Sequence, residues 1–229
     1  MNTPQSPVLL QRHADWAEVV LNRPARRNAV DMSLARALGD AIETLAADDS
    51  VRAVLLRGAD GAFCSGLDLQ ALQAEPGGLA AFAPVWERVH LGLLQSRKAW
   101  IVALERHAIN GGAALALAGD LLVCGAGAFL QIGEIRLGMA APRNADWLAL
   151  RHSEAVAARL CLLGDRVPAP ELLRLGIATE LVQDAGVLDR ARGLAATIGG
   201  FPAEGVAAIK GGMRAATMRM ASAARDKNS

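Results

Sequence analysis

Apolar residues recur along this chain with two periods, and the change of period marks the elements. Residues 8–12 and 16–21 read as two short strands around a turn at 13–15. Asn22-Arg23-Pro24 ends the second, because proline cannot continue a ladder. Residues 32–47 carry Leu34, Leu38, Ala41, Ile42 and Leu45 at helical spacing, with Asp31 placed as N-cap. Residues 51–57 form a short apolar run, as in a parallel strand buried on both faces. A helix is predicted over 79–96, with Phe82, Val85, Trp86, Val89 and Leu93 on one face as core. Strands follow at 100–104 and 121–124, with a small-residue helix at 112–118 between them. Residues 129–132 lead to Gly133-Glu134 and an irregular loop at 138–144. From Ala145 the pattern is helical: 145–150, 153–163, 170–175, 187–198 and 202–220. Strands alternating with helices, then helices alone, predict an α/β core over residues 1–200 with a short helical C-terminal tail over 201–229.

Composition narrows the setting. The 229 residues are 52% hydrophobic and 21% charged, a globular balance with enough chain for a full core. Net charge is +1, which argues against nucleic acid or an acidic membrane surface as partner. No apolar run reaches membrane-spanning length, and no signal-peptide core follows the polar first residues. Cys64, Cys124 and Cys161 are odd in number and widely spaced, so neither a disulfide framework nor a zinc site is expected. A soluble cytoplasmic protein without a metal site is the expectation. The absence of tyrosine removes phenolic acid chemistry.

The chemistry concentrates in two small-residue loops. Ala62-Phe63-Cys64-Ser65-Gly66-Leu67-Asp68-Leu69 follows one strand, and Ile109-Asn110-Gly111-Gly112 follows another. Two loops leaving neighbouring strands can aim backbone N–H groups at a common point. A helix starting at the second adds its unpaired N–H groups and positive dipole end. That arrangement holds an oxygen which gains negative charge during reaction. Ser65 N–H and Gly111 N–H are the expected pair of donors. Ordinary glycine-containing turns are the alternative for either loop alone.

These motifs, with Leu21-Asn22-Arg23-Pro24, Asn28-Ala29, Asp120 and Glu134-Ile135-Arg136-Leu137-Gly138, resemble the crotonase, or enoyl-CoA hydratase/isomerase, superfamily. The resemblance runs from about residue 8 to 209. It implies a spiral of repeated ββα turns, an acyl-CoA thioester substrate, no separate cofactor beyond the coenzyme A of the substrate, and a homotrimer or homohexamer. It places the thioester oxygen between Ser65 and Gly111. Ala62, Ser65, Gly66, Leu67, Asp68, Gly111 and the arginines Arg26 and Arg27 would line the substrate, the arginines at the CoA phosphates. A solvated surface pair is the alternative for those arginines. Of the two glutamates used by hydratases of the family, one position is Ala114 and the other is Glu134. A lone carboxyl suits proton transfer from C2 to C4 better than addition of water. Gly-Leu-Asp-Leu at 66–69 and Leu-Gly-x-x-Ala-Pro at 137–142 are similar to Δ3-Δ2-enoyl-CoA isomerases. The expectation is an isomerase with Glu134 as base and acid, its pKa raised by Ile132, Ile135, Leu137 and Met139. A hydratase, another thioester reaction, and a fold that binds without catalysis are the alternatives. The chain departs from the family at Glu105-Arg106, at Arg143-Asn144-Ala145-Asp146 and in its short tail. Asp146 is a candidate second carboxylate or a helix-end charge, His107 a ligand contact or a structural residue, and Cys64 core filler.

Overall fold

The computed structural model describes residues 6–226, with side chains described through Ala215. Most of the polar N-terminal segment and residues 227–229 lie outside the described residues. The elements in chain order are β1 (Val8–Arg12), β2 (Trp16–Leu21), α1 (Met32–Ala46), β3 (Ala53–Gly58), α2 (Leu69–Ala74), α3 (Gly78–Gln95), β4 (Ala99–Leu104), β5 (His107–Ile109) and α4 (Gly111–Leu117). They continue with β6 (Leu121–Gly125), β7 (Phe129–Gln131), α5 (Pro142–Arg151), α6 (Glu154–Leu163), β8 (Arg166–Pro168), α7 (Ala169–Arg174), β9 (Glu180–Val182), α8 (Val187–Gly199) and α9 (Ala203–Asp226).

A large sheet has the order β1-β2-β3-β4-β6-β9, and a small one the order β5-β7-β8. In the large sheet β1 and β2 are antiparallel, while β2, β3, β4, β6 and β9 pair in parallel. Each turn of the chain gives one strand to the large sheet, one to the small sheet and then a helix: β4-β5-α4, then β6-β7 and α5. The turn after β3 is the reduced case, since its small-sheet strand is a single parallel bridge from Cys64 to Ala108. This is the ββα spiral.

The apolar runs of β3 and β4 are explained by burial on both faces. Val54, Leu56, Trp100, Val102 and Leu104 join the main core with α1, α3 and α4. The alternate residues Ala53, Leu55, Ile101 and Ala103 pack against Val187, Ala191 and Ala195 of α8. The third element of that second interface is polar: Glu18 of β2 is fully buried and takes Arg57 and, at 3.1 Å, Arg192 of α8.

Most boundaries shift by about a residue from the sequence expectation, and the larger differences are at β3, α5 and α9, which runs to Asp226 rather than 220. The third strand starts at Ala53 rather than 51. Helix α5 starts at Pro142, inside the segment expected to be irregular, because proline fits the first helical turn. The three-residue strands β5, β8 and β9 are too short to show a period.

Candidate active site

Asn28 fixes the loop that lies beside the first glycine loop. Its φ is +56°, its side chain is fully buried, and its amide bonds three backbone groups. Arg23 N–H donates to its Oδ1 at 2.9 Å, while its Nδ2 donates to Ala59 O at 3.0 Å and Ala62 O at 2.6 Å. The Arg23–Ala29 loop is thereby stapled to the turn after β3.

The first glycine loop then threads between two neighbours. On one side Cys64 N–H donates to His107 O, and Ile109 N–H donates to Cys64 O. On the other side Ser65 N–H donates to Arg27 O at 3.1 Å, Val30 N–H donates to Gly66 O at 2.8 Å, and Asp68 N–H donates to Val30 O at 2.8 Å. The expectation for Ser65 is therefore corrected: its N–H is spent on Arg27 and points away from the second loop. A trans peptide carries its C=O and N–H on opposite sides. Because Gly66 C=O faces Val30, Leu67 N–H faces the other way, toward Gly111. A Cβ built on Gly111 would lie 3.7 Å from Leu67 N. Among the described residues no backbone carbonyl accepts from Leu67 N–H.

The second loop brings α4 against the first. Gly112 is needed because a Cβ there would sit 2.5 Å from Cys64 O. Asn110, at φ +51°, is the hinge between the loops and Glu134. Its N–H donates to Gln131 O at 2.8 Å, and its Oδ1 accepts from Gly133 N–H at 2.8 Å. Its carbonyl caps α4 at Ala114 N–H and accepts from Asn144 Nδ2 at 3.2 Å. Glu134, the first residue of a 3-10 turn, is thus held one residue from a fixed point on the Gly111 loop.

These parts meet at a cavity of about 260 Å³ whose walls include Leu67, Trp86, Gly111, Ala114, Glu134 and Pro142. Among the described residues Glu134 is the one carboxylate on its wall. Burial raises its pKa; its own backbone N–H and the 3.1 Å bond from Asn144 Nδ2 to Oε1 pull the other way and are outweighed. The apolar surroundings are in part those expected. Leu137 and Met139 line the cavity with Glu134 although they are 62% and 41% exposed, Ile132 is buried, and Ile135 is 45% exposed and off the wall. Trp86, Ala114 and the start of α5 join them. Trp86 is braced by Phe82 and by His90, whose Nδ1 accepts from Trp147 Nε1 at 2.9 Å. Burial pushes His90 down to about 3, so it stays neutral.

The other candidates separate. Asp68 caps α2 through Ala71 N–H at 3.2 Å and pairs with Arg23 at 3.3 Å. Arg26 and Arg27 are exposed on the loop beside Ser65, Arg26 lying 3.7 Å from Asp68. Ala62 is buried and serves Asn28. Asp146 is exposed and pairs with Arg143 at 3.3 Å, outside the cavity wall. His107 is half-buried in β5 and stacks near Phe129. Cys64 is fully buried and its thiol is pushed up to about 12, which removes it as a nucleophile. Asn144 and Asn110 are the site residues that sequence spacing did not reveal. A larger cavity, about 340 Å³, opens at the far end of α4, but its carboxylate, Asp120, is consumed by Arg151 and Lys210. No cluster of three or more potential metal ligands occurs among the described residues. Among them, too, no helix is long and apolar enough to cross a membrane.

Comparison with known proteins agrees with this fold. The profile of the family described as enoyl-CoA hydratase/isomerase matches residues 11–229. EchA14, a probable enoyl-CoA hydratase of Mycobacterium tuberculosis, is 34% identical over 215 residues, or 91% of this chain and 82% of its own. A carnitinyl-CoA dehydratase of Proteus mirabilis is 32% identical over 201 residues, 84% and 74% of the two chains. The solved structure of a monofunctional enoyl CoA isomerase from M. smegmatis superposes with a TM-score of 0.79 at 28% identity, covering 93% of this chain and 94% of that one. Those names differ in the reaction, while the fold and the profile agree over almost the whole length: the chain belongs to the enoyl-CoA hydratase/isomerase family of enzymes, which act on CoA thioesters.

Proposed function

We propose that the protein is a Δ3-Δ2-enoyl-CoA isomerase in which Glu134 is both base and acid. The observation that carries this reading is a single carboxyl, with raised pKa, on the wall of an apolar cavity closed by Leu67 and Gly111. The thioester carbonyl oxygen of a 3-enoyl-CoA accepts from Leu67 N–H and Gly111 N–H. Glu134 removes a proton from C2, the electron pair shifts into the enolate oxygen, and the two N–H groups stabilise that charge. The same carboxyl returns the proton to C4, and the double bond moves to C2–C3. No co-reactant is consumed. Addition of water needs a second group to hold and activate it, and Ala114 stands on the wall where hydratases of the family carry a glutamate.

The cavity, at about 260 Å³, lies just below the roughly 300–1,000 Å³ usual for small-molecule sites, which favours a short acyl group. Arg26 and Arg27 supply cations at the loop where the CoA phosphates would lie. A homotrimer or homohexamer is the proposed assembly, and light scattering on the purified protein measures it.

The deciding experiment follows conversion of 3-enoyl-CoA to 2-enoyl-CoA, and hydration of 2-enoyl-CoA, on the same preparation. Isomerisation that falls by about 10²–10⁴-fold in Glu134→Gln, with little hydration in either protein, is the expected outcome. Dominant hydration in the native protein would sink the assignment.

A further inference from the structure

Two sealed oxygens at the site lack a hydrogen-bond donor among the described residues, Glu134 Oε2 and Asn144 Oδ1. They belong to side chains already joined to each other. Asn144 is 2% exposed, and its Nδ2 donates to Glu134 Oε1 at 3.1 Å and to Asn110 O at 3.2 Å. The amide orientation is fixed, since turning it over would set Oδ1 against the Asn110 carbonyl, which has no proton to give. Oε2 shares a carbon with Oε1, and Oδ1 shares one with Nδ2. A carboxylic acid and a primary amide meeting edge to edge close a ring of two hydrogen bonds, N–H to one carboxyl oxygen and O–H to the amide oxygen. An ionised carboxylate supplies only the first and leaves both orphans. Each buried unpaired acceptor is costly, more so when charged, and one proton removes two such defects.

We propose that Glu134 rests protonated, with Oε2–H donated to Asn144 Oδ1, and that Asn144 is a positioning residue that holds the resting carboxyl neutral and oriented. The functional meaning rests on the isomerase reading, in which this carboxyl is the base and acid. On substrate binding the Oε2–H bond must break and its proton pass to solvent before C2 can be deprotonated. Thereafter the proton taken from C2 is the one delivered to C4.

The charged and titratable groups around the pair are engaged elsewhere or neutral. On its own turn Arg136 Nε donates to Gly164 O at 3.0 Å. On α5 Arg143 pairs with Asp146 and, on α3, with Glu87. On α6 the Cys161 thiol is raised, first by burial and then by Glu134 itself. On α3 His90 stays neutral, and α4 presents Ala114. Among the described residues no ion pair reaches Glu134. Burial is therefore the force that raises its pKa.

The test needs no substrate. Glu134→Gln replaces O–H by N–H and keeps both bonds of the ring at every pH. At about pH 4 native protein and variant should melt together. Above that the unfolded native chain releases the proton while the folded one keeps it, so native stability falls as pH rises toward the folded pKa. The variant's lead should grow with pH to about 2–4 °C in Tm. In an Asn144→Leu background the lead should shrink by half or more, because the glutamine N–H then has no acceptor. A lead independent of pH, or one that survives intact in the Asn144→Leu background, would overturn the pairing. If Asn144→Leu does not fold, infrared spectroscopy decides. A protonated-carboxyl stretching band near neutral pH that Glu134→Gln abolishes is expected; its absence from the native protein would overturn the proposal. Failure of the isomerase assay with these signatures intact removes the reaction assignment and leaves the proton pair standing.

Discussion

At the scale of single residues, the proposed chemistry turns on how one carboxyl is held. Glu134 has to lose a proton to act as a base, and burial makes that harder. With a raised pKa, kcat/KM for the 3-enoyl-CoA should fall as pH drops through that value, at a higher pH than an ordinary glutamate would give. A pH–rate profile that stays flat down to about pH 4.5 would remove Glu134 from the base role. The donor opposite it is a matter of peptide orientation. Ser65 and Leu67 both sit beside Gly66, and the side chains give no reason to prefer either. The bonds from Val30 to Gly66 and from Ser65 to Arg27 decide, and they join segments roughly forty residues apart. Asn144 was equally unreadable, since ten residues and a turn separate it from Glu134. A weak signal for Asn110 was present: asparagine before two glycines tolerates positive φ.

At the scale of elements, the site depends on how closely α4 approaches the first glycine loop. The two glycines have different jobs, and substitution should separate them. In Gly111→Ala the new Cβ meets the end of the Leu67 side chain at 2.8 Å, which can shift, and lies 3.7 Å from Leu67 N. The fold should survive while kcat drops by about 10²-fold, as for a displaced oxyanion donor. In Gly112→Ala the Cβ meets the Cys64 carbonyl at 2.5 Å, and backbone cannot yield as a side chain does. That carbonyl also accepts from Ile109 N–H, so β5 is disturbed with it. A loss of about 2–3 kcal/mol in denaturant unfolding is expected for Gly112→Ala, and less than half of that for Gly111→Ala. Equal stability losses would mean the two loops are not packed as described.

At the scale of the whole molecule, two ion-pair systems tie the outer helices to the large sheet. Glu18 lies fully buried between Arg57 of β3 and Arg192 of α8. Burial alone would raise its pKa; the bonds from Arg192 and Arg57 outweigh it, and the net shift is down. A lowered folded pKa means that its stability is present above the unfolded value, near 4.3, and is lost as pH falls through the folded one. Glu18→Gln should cost about 2–3 kcal/mol at neutral pH, below the 3–5 of a fully buried pair because Arg192 is 39% exposed. The difference from the native protein should fade in acid, and urea unfolding across the acid range measures it. Asp120 joins Trp100 N–H of β4, Arg151 of α5 and Lys210 of α9. Lys210 also donates to Lys98 O at 2.6 Å and is nearly buried. Lys210→Ala should loosen α9 while Arg151 keeps Asp120 paired. Faster limited proteolysis within 203–226, with the rest of the chain resistant, is the expected result; unchanged cleavage would show that α9 is held by other contacts.

Local sequence determined the elements that carry strong periods. Burial on both faces leaves continuous apolar runs in β3 and β4, and one-sided burial leaves helical spacing in α1 and α3. It also marked the two loops that approach each other at the candidate site, because close backbone approach requires small residues and these stand out. Asp31 was legible as a cap, since capping is a contact over three residues. Tertiary structure alone decided which N–H faces the cavity, which side chains seal Glu134, and that Asn110 and Asn144 hold it. Each depends on a hydrogen bond or a packing contact between segments far apart in the chain. Such a bond leaves no periodic trace, because a single asparagine suffices to make it.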